Sequence, residues 1–278
     1  MNLFDILGPV MVGPSSSHTA GAVRIGRIAR RLLGEGTPRR AVITLSGSFA
    51  ATGRGHGTDR ALVAGLLGMQ PDDERIVRSF FIAADVGMDF RFENTTLRGE
   101  HPNTARLSLT GKSGRRMSLI ASSLGGGRIT VVELDGLRVR FSGDLPTLIV
   151  QNRDQPGLVS DVASMLASNG VNIATLQLYR DHPGGNAVMV IEIDKAVPQA
   201  GIDWLKRVEG INGVTFLNVE EDADGDCIAA GADGRGAGAR PGGGHHLGRL
   251  RGARSLARGL AGAHAGTVRG HPALERGL

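Results

Sequence analysis

The stretch TLIVQNRDQPGLVSDVASMLASNGVNIATLQLYRD, residues 147–181, decides how the C-terminal half of the ordered chain folds. An apolar run ends in a polar turn with Pro156 and Gly157. An 11-residue segment with helical apolar spacing follows, closes on Asn169-Gly170, and gives way to a second alternating run. Continued through GGNAVMVIEID, AGIDWLKRVEG and VTFLNVEE, the order is strand, helix, strand, strand, helix, strand. That order predicts a split, ferredoxin-like unit over 147–222.

Upstream, GDLPT at 143–147 reads as the linker into this unit. Residues 80–141 break into short runs, from FFIAADV through LRVRFSG, separated by Gly and polar turns, and are expected to form antiparallel strands. Residues 18–33 place Ala22, Ile25, Ile28, Ala29, Leu32 and Leu33 on one helical face, with serines ahead as N-caps and Gly34 as the stop. AVITLSGSFA at 41–50 reads as a strand, ATGRGHGTD as a glycine-rich loop, and DRALVAGLLGM as a second helix. The fold class is therefore α+β: an N-terminal mixed α/β domain over 1–143, the βαββαβ unit over 147–222, and a tail over 223–278.

The tail carries much of the charge. The formal charge is +5, from 32 Lys and Arg against 27 acids, but residues 231–278 alone hold eight Arg against two acids, so the body is nearly neutral. With 14 Gly in those 48 residues and few bulky apolar side chains, the tail cannot bury enough surface to offset its ordering entropy and is expected to be disordered. Lacking interleaved aromatics, it makes a poor nucleic-acid platform, so no nucleic-acid partner is expected. Its Ala/Gly/Arg/His bias also matches a GC-rich message read out of frame, which resequencing the 3′ end of the gene would test. No run is long and apolar enough to span a bilayer, and the start, MNLFDILGPV, lacks the pattern of a signal peptide, so the expected location is the cytoplasm. The single cysteine, Cys227, can neither pair internally nor hold a zinc or iron–sulfur site by itself, and no residue here is assigned to a metal.

Chemistry concentrates in the N-terminal domain. GPSSSHTAG (13–21) and GRGHGTD (53–59) each present a histidine, His18 and His56, at or near a predicted helix start, where N–H groups and the helix dipole favour a carboxylate. GRGHGTD is no P-loop, because it lacks the Gly-Lys-Ser/Thr ending, and no dinucleotide fingerprint, because Thr58 stands where the third glycine belongs. GPSSSHTAG is no serine-nucleophile elbow, since Ser17 occupies the second glycine position. What remains suits proton transfer on a small polar substrate. His18 and His56 are candidate bases, and Ser15, Ser16, Ser17, Thr19 and Thr58 are candidate substrate contacts. His101 and Asn103, from HPNTA, are candidates to complete the pocket. Asp59 either orients His56 or caps the helix that follows.

In this order GPSSSHTAG, GSFAATGRGHGTDRA, HPNTA and LGGGRI, followed by a βαββαβ unit opening with NRDQPGLVSDVA, closely resemble the beta subunit of iron–sulfur-dependent L-serine dehydratase, over about residues 1–222. The C-terminal unit resembles an ACT domain. The resemblance implies conversion of L-serine to pyruvate and ammonia, a role in amino-acid metabolism and gluconeogenesis, and a [4Fe–4S] cluster whose cysteine ligands come from an alpha subunit. It implies that this chain closes over that cluster, with iron acting as Lewis acid on the substrate hydroxyl. His56 is then the leading base, and His18 a second base or a carboxylate-orienting group. It further implies that Asn152, Asp154, Gln155, Pro156 and Gly157 bind L-serine as a regulatory ligand, at an interface that pairs ACT units into a homodimer of beta chains. A non-catalytic serine-sensing regulatory protein is the alternative reading.

Overall fold

The computed structural model describes residues 10–97 and 100–218, the Arg54 side chain excepted. The Gly/Arg-rich tail, Cys227 and the expected end of the C-terminal unit at 222 lie outside the described residues.

A π-helical turn, Ser16–Ala20, runs directly into α1, Gly21–Leu33. Ala22, Ile25, Ala29, Leu32 and Leu33 face inward as the spacing predicts, and Gly34 closes the helix in the left-handed conformation, donating its N–H to the Arg30 carbonyl. β1, Arg40–Gly47, leads into α2, Ser48–His56, and after one residue into α3, Thr58–Leu66. The expected glycine-rich loop is therefore a helix. Its anchor is Phe49, fully buried, which overrides the poor helix propensity of Gly53 and Gly55. A 3₁₀ turn, Glu74–Arg78, precedes α4, Ser79–Asp85, so FFIAADV is helical and not a strand. Ser79 is buried with its hydroxyl donating to the Arg60 carbonyl, and that contact seats α4 against the start of α3.

β2 (Asp89–Thr95), β3 (Asn103–Thr110), β4 (Arg116–Gly125), β5 (Arg128–Leu134) and β6 (Leu137–Phe141) complete a six-stranded sheet of order β2-β1-β3-β4-β5-β6. The expectation of antiparallel pairing holds from β3 to β6. β2 departs from it and pairs parallel to β1, because the three helices between them carry the chain back to the starting end.

α1 and α3 cross without side chains between them. A Cβ placed on Gly26 would lie 2.4 Å from the Leu62 carbonyl oxygen, and one on Gly65 would lie 2.1 Å from that of Val23. Glycine on both helices lets the backbones touch, and this fixes where the start of each helix falls.

β7 (Thr147–Arg153), α5 (Leu158–Ser168), β8 (Ile173–Arg180), β9 (Asn186–Ile193), α6 (Gln199–Leu205) and β10 (Ile211–Leu217) follow the βαββαβ order, with the sheet arranged β10-β7-β9-β8 and antiparallel throughout. Period-two alternation splits its strands between two cores. Leu148, Val150, Met189 and Ile191 pack with Val162, Leu166, Ile202 and Leu205 of α5 and α6. Ile149, Val188, Val190 and Leu217 join the N-terminal core, which includes Leu137, Val139 and Phe141 of β6. The linker is pinned as well: Arg24 of α1 donates to the Gly143 carbonyl at 2.9 Å and pairs with Asp144 at 2.7 Å. Among the described residues, no helix is long and apolar enough to cross a membrane.

Candidate active site

The two histidine segments meet because the helices that follow them touch. His18 sits in the π-helical turn ahead of α1, and His56 ends α2, two residues before α3 begins. The α1–α3 crossing brings their rings to 4.9 Å between centroids, at 50°. His18 is buried, at 9% exposure, and its ring lies edge-on to Phe49. His56 is exposed.

Hydroxyls surround the buried ring. Ser15 caps the π-helical turn, its Oγ accepting from the His18 N–H at 3.3 Å and lying 3.3 Å from Nδ1. On the other side, Nε2 lies 3.2 Å from Thr52 Oγ1 and 3.3 Å from Ser48 Oγ. Burial, and then the nearby charge of His56, holds the His18 pKa below the ordinary imidazole value, while a hydrogen bond to the Ser48 carbonyl opposes them. The pocket thus holds one imidazole biased to neutrality beside one open to solvent.

The glycine turn at 125–127 forms another wall. All three residues have positive φ (94°, 62° and 76°), a path that side chains rarely follow. It lets the Gly126 N–H donate to Ser16 Oγ at 3.2 Å. A Cβ on Gly125 would stand 3.5 Å from Ser17 Oγ, so the serine run lies against this turn.

The remaining expected residues divide. Thr19 and Thr58 are buried, and neither hydroxyl has a hydrogen-bond partner among the described residues. Asp59 lies in the first turn of α3, where its Oδ1 accepts from the Arg60 N–H at 2.8 Å. His101 is exposed and accepts at Nδ1 from the Asn103 N–H at 3.1 Å. Their segment reaches the site through its backbone: the Pro102 carbonyl accepts from the Ser48 N–H at 2.7 Å. Beneath it, Thr104 donates to the His101 carbonyl at 2.5 Å and shares a 2.6 Å hydroxyl contact with Ser122.

Sequence reading missed Ser48 and Thr52. With His56 they stand at intervals of four on α2, one helical face turned toward His18, a signal hidden by taking GRGH for a loop. Among the described residues, no three His, Cys, Asp or Glu lie close enough to hold a metal ion.

In the C-terminal unit, Asn152 lies inside β7, buried, with its amide donating to the Arg153 carbonyl at 2.6 Å. Asp154 accepts from the Gly184 N–H at 3.1 Å and from Arg180 at 2.9 Å, and these two contacts lower its carboxyl pKa. Gln155 and Pro156 are exposed, and Gly157 starts α5 at φ 98°.

Family models agree with this layout: the serine dehydratase beta chain model matches residues 2–81 and the ACT domain model matches 146–210. The probable L-serine dehydratase beta chain of Bacillus subtilis is 42% identical over 216 residues, 78% of this chain and 97% of that one. The chain belongs to the L-serine dehydratase beta-chain family. The L-serine dehydratase beta chain of Peptoniphilus asaccharolyticus is 38% identical over 217 residues, again 78% of this chain and 97% of its own. A shorter match, 44% over 78 residues, covers 26% of this chain and 16% of L-serine dehydratase 2 of Escherichia coli. The paired histidines thus lie in an enzyme subunit of serine dehydratase type that carries an ACT domain.

Proposed function

We propose that this chain is the proton-handling half of an L-serine dehydratase, converting L-serine to pyruvate and ammonia together with an alpha subunit that holds a [4Fe–4S] cluster. As cluster ligands, the residues of this chain do not fit. It has one cysteine, and a cubane of four irons needs several thiolates. The electrophile that the departing hydroxyl requires is assigned to the partner.

The observation that carries the reading is the His18–His56 pair: an exposed imidazole 4.9 Å from a buried one already tied up by hydroxyls. His56 takes the α-proton of serine. A side-chain base near neutrality contributes roughly 10²- to 10⁴-fold. A neutral His18 leaves room for the positive charge that His56 then acquires. The Ser15–Ser17 hydroxyls and the 125–127 turn orient the substrate. Loss of the β-hydroxyl gives aminoacrylate, which tautomerises and hydrolyses to the products.

The ACT domain is assigned regulation: its Asp154–Gly157 turn takes the carboxylate of serine, with two beta chains paired through their ACT units. Anaerobic co-expression with the alpha subunit, followed by pyruvate release from serine, tests the catalytic assignment. Turnover is expected only with both chains present. Full activity of either chain alone would overturn it.

A further inference from the structure

We infer that Thr52 sets the tautomer of His18, placing the ring proton on Nε2 and making Thr52 a positioning residue of the site. Thr52 Oγ1 lies 3.0 Å from the Ser48 carbonyl, one helical turn back, and a carbonyl can only accept, so the Thr52 proton points there. Toward Nε2, 3.2 Å away, Thr52 therefore turns lone pairs only. A bare Nε2 would set lone pair against lone pair, whereas an N–H satisfies both. Ser48 Oγ lies 3.4 Å from Thr52 Oγ1, whose second lone pair takes the Ser48 proton, so that Ser48 Oγ, 3.3 Å from Nε2, faces the same N–H as a further acceptor.

The other side of the ring agrees. Ser15 Oγ already accepts from the His18 backbone N–H, which leaves its proton to donate to Nδ1 at 3.3 Å. The chain then runs Ser15 O–H to Nδ1, Nε2–H and Ser48 O–H to the two lone pairs of Thr52 Oγ1, and Thr52 O–H to the Ser48 carbonyl, with every proton used once. Both nitrogens of His18 are occupied in the neutral ring. It cannot accept a substrate proton without breaking this chain, so His56 remains the ring with a nitrogen to spare.

The tautomer concerns this chain alone; its effect on turnover rests on the function proposed above, and the two are measured separately. Nitrogen-15 NMR of the full-length chain, labelled at histidine and assigned with His18→Asn, reads the tautomer directly. The expected His18 pattern at neutral pH is a protonated Nε2 and an unprotonated Nδ1. Thr52→Val should mix the tautomers, and Thr52→Ser, which keeps the hydroxyl, should restore the wild-type pattern. In the assembled enzyme Thr52→Val should lower kcat about tenfold, the effect of one lost hydrogen bond, with KM for serine changed less than twofold. A protonated Nδ1 in the wild type, or an unchanged pattern in Thr52→Val, would overturn the inference whatever the enzyme's activity.

Discussion

Gly65→Ala probes the contact on which the geometry of the site depends. The added methyl carbon would lie 2.1 Å from the Val23 carbonyl oxygen and 2.9 Å from the Arg27 nitrogen. That is about 1.3 Å short of an ordinary contact, against backbone that cannot rotate away. Overpacking of this kind costs about 1–3 kcal/mol, and the rigid neighbour puts this site at about 2–3. Replacing glycine with alanine inside a helix returns about 1 kcal/mol, so the net loss is about 1–2 kcal/mol. For a folded body near 200 residues this lowers Tm by roughly 2–8 °C. Gly55→Ala is the control. Among the described residues a Cβ there meets nothing within 4 Å, so the same propensity gain acts unopposed and Tm should rise by roughly 2–4 °C. Because the crossing sets the distance from His18 to His56, Gly65→Ala should also cost the assembled enzyme up to about 10²-fold in turnover, as expected for a displacement near 1 Å. Thermal melts read by far-UV circular dichroism decide the matter. A Gly65→Ala chain melting at or above wild type would refute the claim that the crossing is closed by backbone contact.

Three further outcomes follow from particular contacts. His18 has a folded-state pKa below its unfolded value, so the unfolded chain takes up a proton first as the pH falls below about 6.5; stability should drop across that window, and His18→Asn should flatten the drop in urea midpoints measured from pH 7.5 to 5.5. Thr104→Val removes the donor to the His101 carbonyl and orphans Ser122, and should cost about 1–3 kcal/mol in urea unfolding with an unchanged m-value. Gly157→Val forces a branched side chain to φ 98° at the start of α5, so calorimetry on the full chain should show serine binding at that turn lost; unchanged binding would place the ligand elsewhere.

Much of the fold was legible because its signals were local and consistent. The βαββαβ unit showed in the apolar runs of β7 and β9 and in the Pro156-Gly157 and Asn169-Gly170 stops. The α1 face showed in its apolar spacing. The failures arose where tertiary contacts override local preference. Two glycines within SFAATGRGH argued for a loop, yet buried Phe49 and the four-residue spacing of Ser48, Thr52 and His56 make a helix that serves the site. FFIAADV is too short for periodicity to separate strand from helix, and the Ser79 contact with Arg60 decides it. Of the site, both histidines and the serine run were visible as residue types in glycine-rich settings. The two roles open to Asp59 could not be separated from sequence, because adjacency says nothing of which way a first-turn carboxylate points; its contact in the fold is with the Arg60 N–H. The Gly26–Gly65 contact had no sequence signal, since each glycine lies inside an ordinary helical pattern.

The most direct test of a split site with its proton acceptor on this chain is His56→Ala, assembled anaerobically with the alpha subunit and assayed for pyruvate from L-serine. The complex is expected to form with its cluster absorbance unchanged and with turnover lower by at least about 10²-fold. Turnover near wild type in a fully assembled complex would contradict that placement of the proton acceptor.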